Sequence, residues 1–253
     1  MNIDIKDIID IAIGAGDEIL KVYYGKKGIG KEIKSDNSPV TEADKVADKY
    51  IREELTKLYP EIPIISEETP IPDYSIRSKW EYLWIVDPLD GTKDFISRSG
   101  EFSVNIALIK KHKPILGVIF APAFNKTYYA ESGKGAYLLK ENVTKKLPIV
   151  TEKDYYSTFI SKNDGMDKTK EWIKSLNLNK KLLVKRLGSS LKGCEIAEGK
   201  SDFYLKMSHI MEWDTAAMQV IIEESGKRIV DFQTKKPLIY NKKTLKNPLY
   251  LID

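Results

Sequence analysis

Two aspartates three residues apart follow a short apolar segment of the chain. Residues 81–86 read EYLWIV, which predicts a buried strand, and residues 87–92 read DPLDGT directly after it. Pro88 fixes its own φ angle and restricts Asp87 to extended geometry, so we expect a tight turn at the end of the strand. Both carboxylates and the Leu89 carbonyl can then point to one spot. Hard divalent cations prefer such an oxygen-rich, anionic pocket.

The residues after these aspartates add groups that can hold a phosphate. A helix is predicted over residues 93–97, and its first backbone N–H groups, next to Gly91, can bind an anion. Thr92 adds a hydroxyl group that can orient an attacking water. Cations at Asp87 and Asp90 beside such a phosphate would allow metal-assisted phosphate hydrolysis.

Four more acidic positions extend the pattern, although each has a simpler interpretation. Glu67 and Glu68 follow the short apolar run 62–65, but such a pair is usually solvated. Asp214 can be the N-cap of a helix over residues 215–224, and Asp44 can serve only in a capping box. An isolated D-x-x-D sequence is most often a turn or a helix cap. The ordered combination of all these acids favours a metal site.

The elements before residue 148 predict a largely antiparallel sheet flanked by helices. An N-terminal helix buries one apolar face, and a second helix begins at Thr41, with Asp44 three residues on, and ends near Tyr59. A polar loop is expected over residues 70–79. Strands are predicted over residues 102–109, 115–120 and 127–130. The apolar face of the second helix is assigned to Ala43, Val46, Ala47, Tyr50, Ile51, Leu55 and Leu58.

Short strands alternate with helices after residue 148, which favours an α/β second half. The strands are predicted over residues 155–161 and 182–187, and the helices over residues 169–176, 190–198 and 214–225. We therefore predict two tightly packed domains. Residues 1–148 form an α+β domain that carries most of the metal ligands. Residues 149–253 form an α/β domain that supplies Asp214 and substrate contacts.

The composition excludes several classes of protein. The 253 residues are 42% hydrophobic and 31% charged, with a net charge of only +4, and the lysines are scattered, so nucleic-acid binding is not expected. The single cysteine, Cys194, cannot form an intramolecular disulfide or a cysteine zinc site and is expected to be buried. No apolar run approaches the roughly 20 residues that span a bilayer, which predicts a cytoplasmic protein. His112 is expected in an exposed turn, whereas two interpretations of His209 are open: it lines the site, or it has no part in it.

The combined motifs resemble the inositol monophosphatase superfamily of Mg²⁺-dependent phosphatases. They are the Glu-Glu pair, DPLDGTKDF over residues 87–95 and WDTAA over residues 213–217, and the resemblance extends from residue 40 to residue 249. Within the superfamily, the sequence is more similar to the CysQ-type 3′(2′),5′-bisphosphate nucleotidases than to the inositol monophosphatases. The segments that carry this likeness are GEFSVNIALI (100–109), KPILGVIFAPA (113–123) and GSSLKGCEIAEG (188–199).

The resemblance implies a fold, a reaction and a set of site residues. The fold would be a layered α/β/α/β/α sandwich, and the reaction would convert adenosine 3′,5′-bisphosphate to AMP and phosphate, as part of sulfur metabolism. Two or three Mg²⁺ ions would be held by Glu67, Asp87, the Leu89 carbonyl, Asp90 and Asp214. Asp44 and Thr92 would orient the water, Glu68 would assist a weaker metal, and Gly91 and Thr92 would cradle the phosphate. Ser189 and Lys192 would contact the second phosphate and the nucleoside, and Glu67, Leu89, Asp90 and Asp214 would also border the substrate.

Three departures from the family pattern leave the metal ligands intact. Those at Asn163 and Lys206 fall where the substrate would be recognised, and the one at Met218 is assigned to local packing. Residues 161–164 read SKND where relatives often have a Ser-x-Ser-His sequence, Lys206 stands where they tend to have arginine, and Met218 replaces a common glycine. Lysine keeps the charge of arginine but loses its bidentate fork.

Other functions therefore stay open. An inositol or sugar phosphatase is the main alternative. A catalytically silent regulatory or RNA-associated protein is the alternative from another class. Peripheral membrane association through the N-terminal helix is expected to be weak because its polar positions include acids. The protein is expected to be a monomer or a homodimer.

Overall fold

The computed structural model describes residues 3–25, 30–33, 39–150, 152–160 and 166–253. Over these residues the helices lie close to the predicted positions, and each begins or ends within a few residues of the expected boundary. The exception is a short helix, α3, inside the expected polar loop. The helices are α1 (Ile5–Tyr23), α2 (Glu42–Leu58), α3 (Tyr74–Arg77), α4 (Thr92–Ile96), α5 (Met166–Ser175), α6 (Leu191–Ala197) and α7 (Ala216–Glu224).

The strands of the described residues fall into one large sheet and several small ones. The first-half strands are β1 (Lys31–Ile33), β2 (Pro39–Thr41), β3 (Ile64–Ser66), β4 (Tyr82–Asp90), β5 (Ser103–Lys110), β6 (Lys113–Ala121), β7 (Lys126–Glu131), β8 (Gly135–Lys140) and β9 (Val143–Lys146). The later strands are β10 (Tyr155–Phe159), β11 (Lys181–Lys185), β12 (Tyr204–Lys206), β13 (Ile229–Asp231) and β14 (Tyr250–Ile252).

The large sheet has the order β3-β4-β5-β6-β7-β8-β9 among the described strands. Only its first pair, β3 with β4, is parallel, and the other neighbours are antiparallel. The predicted antiparallel sheet is therefore confirmed. The strands β8 and β9 were not predicted. Strand β9 is exposed along its length and therefore carries no apolar pattern.

Alternating residues of β4 show why helices cover both faces of this sheet. Trp84 and Val86 pack with α1 and α2 on one face. Leu83 and Ile85 pack with α6 and α7 on the other face. A strand that is buried on both faces reads as a continuous apolar run, which explains the EYLWIV segment.

The small sheets complete a five-layer order. The sheet β12-β14-β13 is antiparallel, and Tyr204, Ile229 and Tyr250 bury one face of it in the cluster that contains α6 and α7. Its other face contacts Trp172 of α5 through Leu205 and neighbouring side chains. The layers are thus α1 with α2, the large sheet, α6 with α7, the small sheets, and α5. The predicted α/β/α/β/α sandwich is confirmed.

Some details differ from the sequence-based expectations. The segment 70–79 is not wholly a loop, since it contains α3. Arg77, at the end of α3, is buried and donates hydrogen bonds to the Asn241 side chain and to two backbone carbonyls of the C-terminal segment. Leu58 of α2 is exposed, because it lies in the last turn beyond the packed face. Residues 161–164 lie outside the described residues, and the domain boundary at residue 148 stays a prediction.

Across the described ranges, none of the helices combines the length and the apolar character needed to cross a membrane. Helix α1 instead buries its apolar face against the protein core. Ile8, Ala12 and Ile19 are fully buried there.

Candidate active site

The two aspartates of the DPLDGT segment lie inside strand β4. Asp87 pairs with Asn105, and Asp90 pairs with Ser103. Three residue steps on β4 therefore match two on β5, which is a β-bulge. The expected turn after the strand is wrong: pairing continues through this segment and is only shifted in register. Bulges re-aim side chains, and this one is anchored by a hydrogen bond of 3.1 Å from the Leu89 N–H to Asp87 Oδ1.

A third carboxylate from a distant part of the chain meets these two. Within the described residues, one oxygen each of Asp87, Asp90 and Asp214 lies within 4.8 Å of the others. Burial raises the pKa of the Asp87 carboxyl well above its usual range, and the negative charges of Glu67, Asp90, Asp214 and Asp44 raise that pKa further. The three acids therefore repel one another in the absence of a cation.

Asp214 does not cap helix α7. Thr215 is the N-cap residue, and α7 begins at Ala216. The Asp214 Oδ2 atom instead accepts a hydrogen bond of 2.6 Å from the Met211 N–H. Burial raises the Asp214 pKa, as do Asp90 and Glu67, whereas the Met211 hydrogen bond and the charge of Lys206 lower it. The simple capping interpretation is wrong, because the carboxylate closes a turn before the helix.

Ser190 joins the two parts of this carboxylate cluster. Its N–H donates to Asp90 Oδ2 at 2.6 Å, and its Oγ lies 2.6 Å from that same oxygen and 2.9 Å from the Asp214 carbonyl. The Asn105 side chain donates to the Ser190 Oγ at 3.0 Å and to Asp90 at 3.3 Å. Ser190 was not among the site residues predicted from the sequence. Its only signal was its place beside Ser189 in the GSSLKG segment.

Glu67 follows β3 and lies beside the carboxylate cluster. Its N–H donates to the Val86 carbonyl of β4 at 3.2 Å, and its charge contributes to the raised pKa values of Asp87 and Asp214. The preceding Ser66 is fully buried and donates to Asp48 at 2.6 Å, and Asp48 pairs with Arg52 at 2.8 Å. These contacts with α2 hold the end of β3 in place, and with it Glu67, the next residue.

Glu68 is half-buried, and its N–H donates to the Ser66 hydroxyl at 3.4 Å. Its negative charge reaches Lys45 of α2. The pKa of Lys45 is raised first by its hydrogen bond with Glu32 and then by nearby acids that include Glu68. The proposed role of Glu68 at a weaker metal stays a prediction.

Asp44 performs two tasks with its two oxygens. Oδ2 accepts hydrogen bonds of 2.7 Å from the Thr41 backbone and hydroxyl, so the capping box at the start of α2 is confirmed. Oδ1 accepts a hydrogen bond of 3.2 Å from the Thr92 hydroxyl. The two residues predicted to act as a pair are therefore in contact.

Gly91 allows a close approach at the start of α4. Its φ angle is +95°, and a Cβ atom there would lie 2.9 Å from the Glu101 carbonyl and 3.2 Å from the Ser189 Cβ. Positive φ is accessible to glycine without steric cost. The backbone of Gly91 and Thr92 is thereby brought next to Ser189, so the predicted phosphate-holding residues lie together.

A cavity of about 180 Å³ opens beside the carboxylate cluster. Ser189 and Lys192 line this cavity, as does Lys206, the residue that departs from the family pattern. The Lys192 ammonium group donates to the carbonyls of Leu187 and Ser189 at 2.9 Å each. The remaining lining side chains are those of Asp90, Ser190, Tyr204, Ile210, Asp214, Met218 and Tyr250.

Met218 forms part of the cavity wall and packs against Gly193 of α6. A Cβ atom at Gly193 would collide with the Met218 sulfur atom. The larger residue at position 218 is thus accommodated by a glycine on the facing helix.

The other reactive side chains lie away from this cavity. His112 is exposed, as predicted, and its Nδ1 contacts the Tyr240 carbonyl at 2.6 Å. His209 lines a different groove. Cys194 is buried, as predicted, and burial raises the pKa of its thiol well above the usual range.

The carboxylate cluster fits a hard divalent cation. The Asp87 Oδ2 atom is buried and has no hydrogen-bond partner among the residues that the structure describes. Buried carboxylate oxygens require a compensating partner, and oxygen ligands suit Mg²⁺. The residues that could hold such an ion are Asp87, Asp90 and Asp214, with Glu67 and the Leu89 carbonyl adjacent.

Comparisons with known proteins agree with this geometry. Residues 4–251 match the inositol monophosphatase family. The 3′(2′),5′-bisphosphate nucleotidase CysQ of Shigella flexneri is 42% identical over 233 residues, which are 92% of each chain. The crystal structure of CysQ from Bacteroides thetaiotaomicron has a TM-score of 0.87 at 36% identity and covers 98% of this chain and 96% of its own. The solved structure of a Thermotoga maritima IMPase has a TM-score of 0.74 at 28% identity, and the match covers 98% of this chain and 91% of the IMPase chain. The chain therefore belongs to the inositol monophosphatase family.

Proposed function

We propose that this protein is a Mg²⁺-dependent 3′(2′),5′-bisphosphate nucleotidase, which converts adenosine 3′,5′-bisphosphate to AMP and phosphate. One observation carries the proposal: the carboxylate cluster borders a cavity that is also lined by Lys192 and Lys206. A cation site next to two ammonium groups suits a substrate with more than one phosphate. Relatives named as nucleotidases at about 40% identity support the same reaction.

Asp87, Asp90 and Asp214 would hold the metal ions, together with Glu67 and the Leu89 carbonyl. Bound Mg²⁺ would neutralise phosphoryl oxygens and lower the pKa of water. The protein positions these ligands from two sides. Strand β4 supplies Asp87 and Asp90, and the segment before α7 supplies Asp214. The Ser190 hydrogen bonds fix the Asp90 carboxylate so that its other oxygen can face the cluster.

Asp44 and Thr92 would orient the attacking water. Because Asp44 accepts the Thr92 hydroxyl hydrogen, the lone pairs of the Thr92 oxygen are left to accept a hydrogen from water. Asp44 is buried, and its second oxygen is held by Thr41, so its position is determined by the start of α2. The pair can therefore direct a water lone pair towards phosphorus.

The substrate contacts would come from the cavity wall. Lys192 is held near the Ser189 backbone and can attract the second phosphate. Lys206 adds a second positive charge, without the bidentate geometry of arginine. Gly91 and Thr92 would cradle the phosphate that is removed.

The Asp90→Asn substitution tests the reaction directly. It keeps the size of the side chain and removes the charge, so we expect phosphate release from adenosine 3′,5′-bisphosphate to fall to background. Asp17→Asn on the exposed side of α1 makes the same chemical change away from the site and should leave the rate unchanged. Near-normal activity of the Asp90→Asn enzyme would refute the proposed metal site.

A substrate panel separates this proposal from an inositol or sugar phosphatase. The similarity to the Thermotoga maritima IMPase is the observation that favours the inositol phosphatase alternative. We expect adenosine 3′,5′-bisphosphate to be hydrolysed with a higher kcat/KM than inositol 1-phosphate or fructose 1,6-bisphosphate. The opposite ranking would reassign the substrate while leaving the phosphatase chemistry in place.

We further propose that the enzyme acts in the cytoplasm and in sulfur metabolism, as a monomer or a homodimer. The substrate class supports the metabolic role. Cell fractionation and light scattering of the purified protein would test the location and the oligomeric state.

A further inference from the structure

A second concave surface lies apart from the active-site cavity. It is an open groove of about 1000 Å³, and it shares no lining residue with the cavity beside the carboxylate cluster. We call it the basic groove. It is formed mainly by the C-terminal segment between β13 and β14, and its lining residues are Lys113, His209, Asp231, Thr234, Lys236, Pro237, Leu238, Ile239, Lys242, Thr244, Lys246, Asn247 and Pro248.

Part of the basic groove is apolar. Leu238 is buried, whereas Ile239 is 53% exposed and offers apolar surface to the groove. Pro237 and Pro248 add rigid apolar surface. An exposed apolar surface within a concavity is typical of a ligand site.

The rest of the basic groove is positively charged. Among the described residues, Lys236 and Lys246 form no ion pair, whereas the charge of Lys113 also acts on Glu223, which is outside the lining. Asp231 is the acidic residue of the lining, but its Oδ1 atom already accepts hydrogen bonds from the Gln233 and Thr234 N–H groups at 2.7 and 3.1 Å. The ammonium groups of these lysines would attract an anion into the basic groove.

The wall of the basic groove is preformed. Asn247 donates through its side chain to the Met211 carbonyl at 3.0 Å and to the Thr215 hydroxyl at 2.6 Å. The Lys242 ammonium group pairs with buried Glu212 at 2.6 Å. The Asn247 carbonyl lies 2.8 Å from His209 Nδ1, and since a carbonyl only accepts, this nitrogen carries the hydrogen. A rigid wall lowers the entropy cost of binding.

We propose that the basic groove binds a small anionic molecule with an apolar or aromatic body, such as an aryl phosphate or sulfate. The apolar floor would contact the body, and the lysines would contact the anionic group. The volume of about 1000 Å³ lies within the range of small-molecule sites. This site is additional to the proposed active site and does not depend on the proposed reaction.

The test uses 2-naphthalenesulfonate, which a phosphatase cannot hydrolyse, with the full-length protein in metal-free buffer. Isothermal titration calorimetry should show saturable binding that is at least about tenfold tighter than that of sulfate or of 2-naphthol alone, since each lacks one half of the interaction. The Lys236→Ala/Lys246→Ala variant should weaken the affinity about tenfold, and Ile239→Ser should weaken it as well.

The matched control is Lys49→Ala/Lys57→Ala on α2, which removes the same charge from an exposed surface. It should bind the probe like the unmodified protein, and all variants should keep their far-UV circular dichroism spectra. Absence of binding, or equal affinity in the Lys236→Ala/Lys246→Ala variant, would overturn the proposal. Tighter binding of an acidic, Phe-containing peptide than of the sulfonate would also overturn it, in favour of a protein partner.

Discussion

The carboxylates of the proposed metal site rest on two unlike supports. Asp87 and Asp90 lie on β4, which has neighbours on both sides in the large sheet and is buried on both faces. Asp214 lies on an irregular segment before α7, where the backbone is held by side chains. Those side chains are Glu212, which is completely buried, and Ser190 and Asn247.

The difference shows how one site can be positioned by two kinds of interaction. On the sheet side, regular backbone pairing and apolar burial determine the position of the ligands. On the irregular side, a few buried polar side chains do so, and each one counts because buried polar networks fail when a member is removed. We therefore expect the irregular side to be the more sensitive to single substitutions.

The largest effect is expected at Glu212. Its carboxylate accepts hydrogen bonds from the Asn241 N–H at 2.5 Å and from the Lys242 ammonium group at 2.6 Å. Glu212→Ala would leave the partly buried Lys242 ammonium group with neutral partners, the Ile239 carbonyl and the Asn247 side chain, so we expect the free energy of unfolding to fall by about 3–5 kcal/mol. Urea denaturation followed by circular dichroism would measure this.

The control for Glu212 is Glu18→Ala, which removes the partner of exposed Lys21 on α1. Such surface pairs contribute about 0–1 kcal/mol. If the two variants lost similar amounts of stability, the buried ion pair would not be what supports the Asp214 segment.

A smaller effect is expected at Ser190. Ser190→Ala removes the hydroxyl between Asp90 and the Asp214 carbonyl. Substitution of a residue that orients a metal ligand typically lowers metal affinity by about 10–100-fold. The Mg²⁺ concentration that gives half-maximal phosphate release should rise by that factor, while activity at saturating Mg²⁺ should fall much less.

Ser66→Ala is the matched comparison for Ser190 on the sheet side. Ser66 anchors the end of β3 through Asp48, but Glu67 is also held by its backbone bond to Val86. Its Mg²⁺ requirement should therefore shift less than that of Ser190→Ala. An equal or larger shift would contradict the contrast between the two supports.

The smallest change in folding stability is expected at Asp87, and it is a gain. Because burial and then the neighbouring acids disfavour a charge at Asp87, Asp87→Asn should stabilise the metal-free protein by about 0.5–2 kcal/mol. The same variant should lose most of the thermal stabilisation that Mg²⁺ provides and should be inactive. Thermal unfolding in EDTA and in Mg²⁺ would measure both effects, and a lower melting temperature in EDTA would contradict the expected gain.

Much of the fold could be predicted from local patterns. The EYLWIV run identified β4, and the Thr41–Asp44 capping box marked the start of α2. The short strands β13 and β14 escaped detection, because three residues carry too little periodicity. Arg77 was missed for a related reason. Arginine is usually exposed, and the partners that bury the end of this side chain, Asn241 and the Lys242 carbonyl, are 164 and 165 residues away.

The sequence by itself determined which acids are present, their order along the chain and the apolar runs that carry them, because these depend on residue type and spacing. Their meaning depended on the tertiary structure. Only the fold brings Asp214 within 4.8 Å of Asp87 and Asp90, and only the β-bulge turns the DPLDGT segment into part of a strand. The fold also places the Ser190 hydroxyl between the Asp90 carboxylate and the Asp214 carbonyl. Contacts between residues more than 80 positions apart leave no local pattern in the chain, so Asp87, Asp90 and Asp214 became one site only after folding.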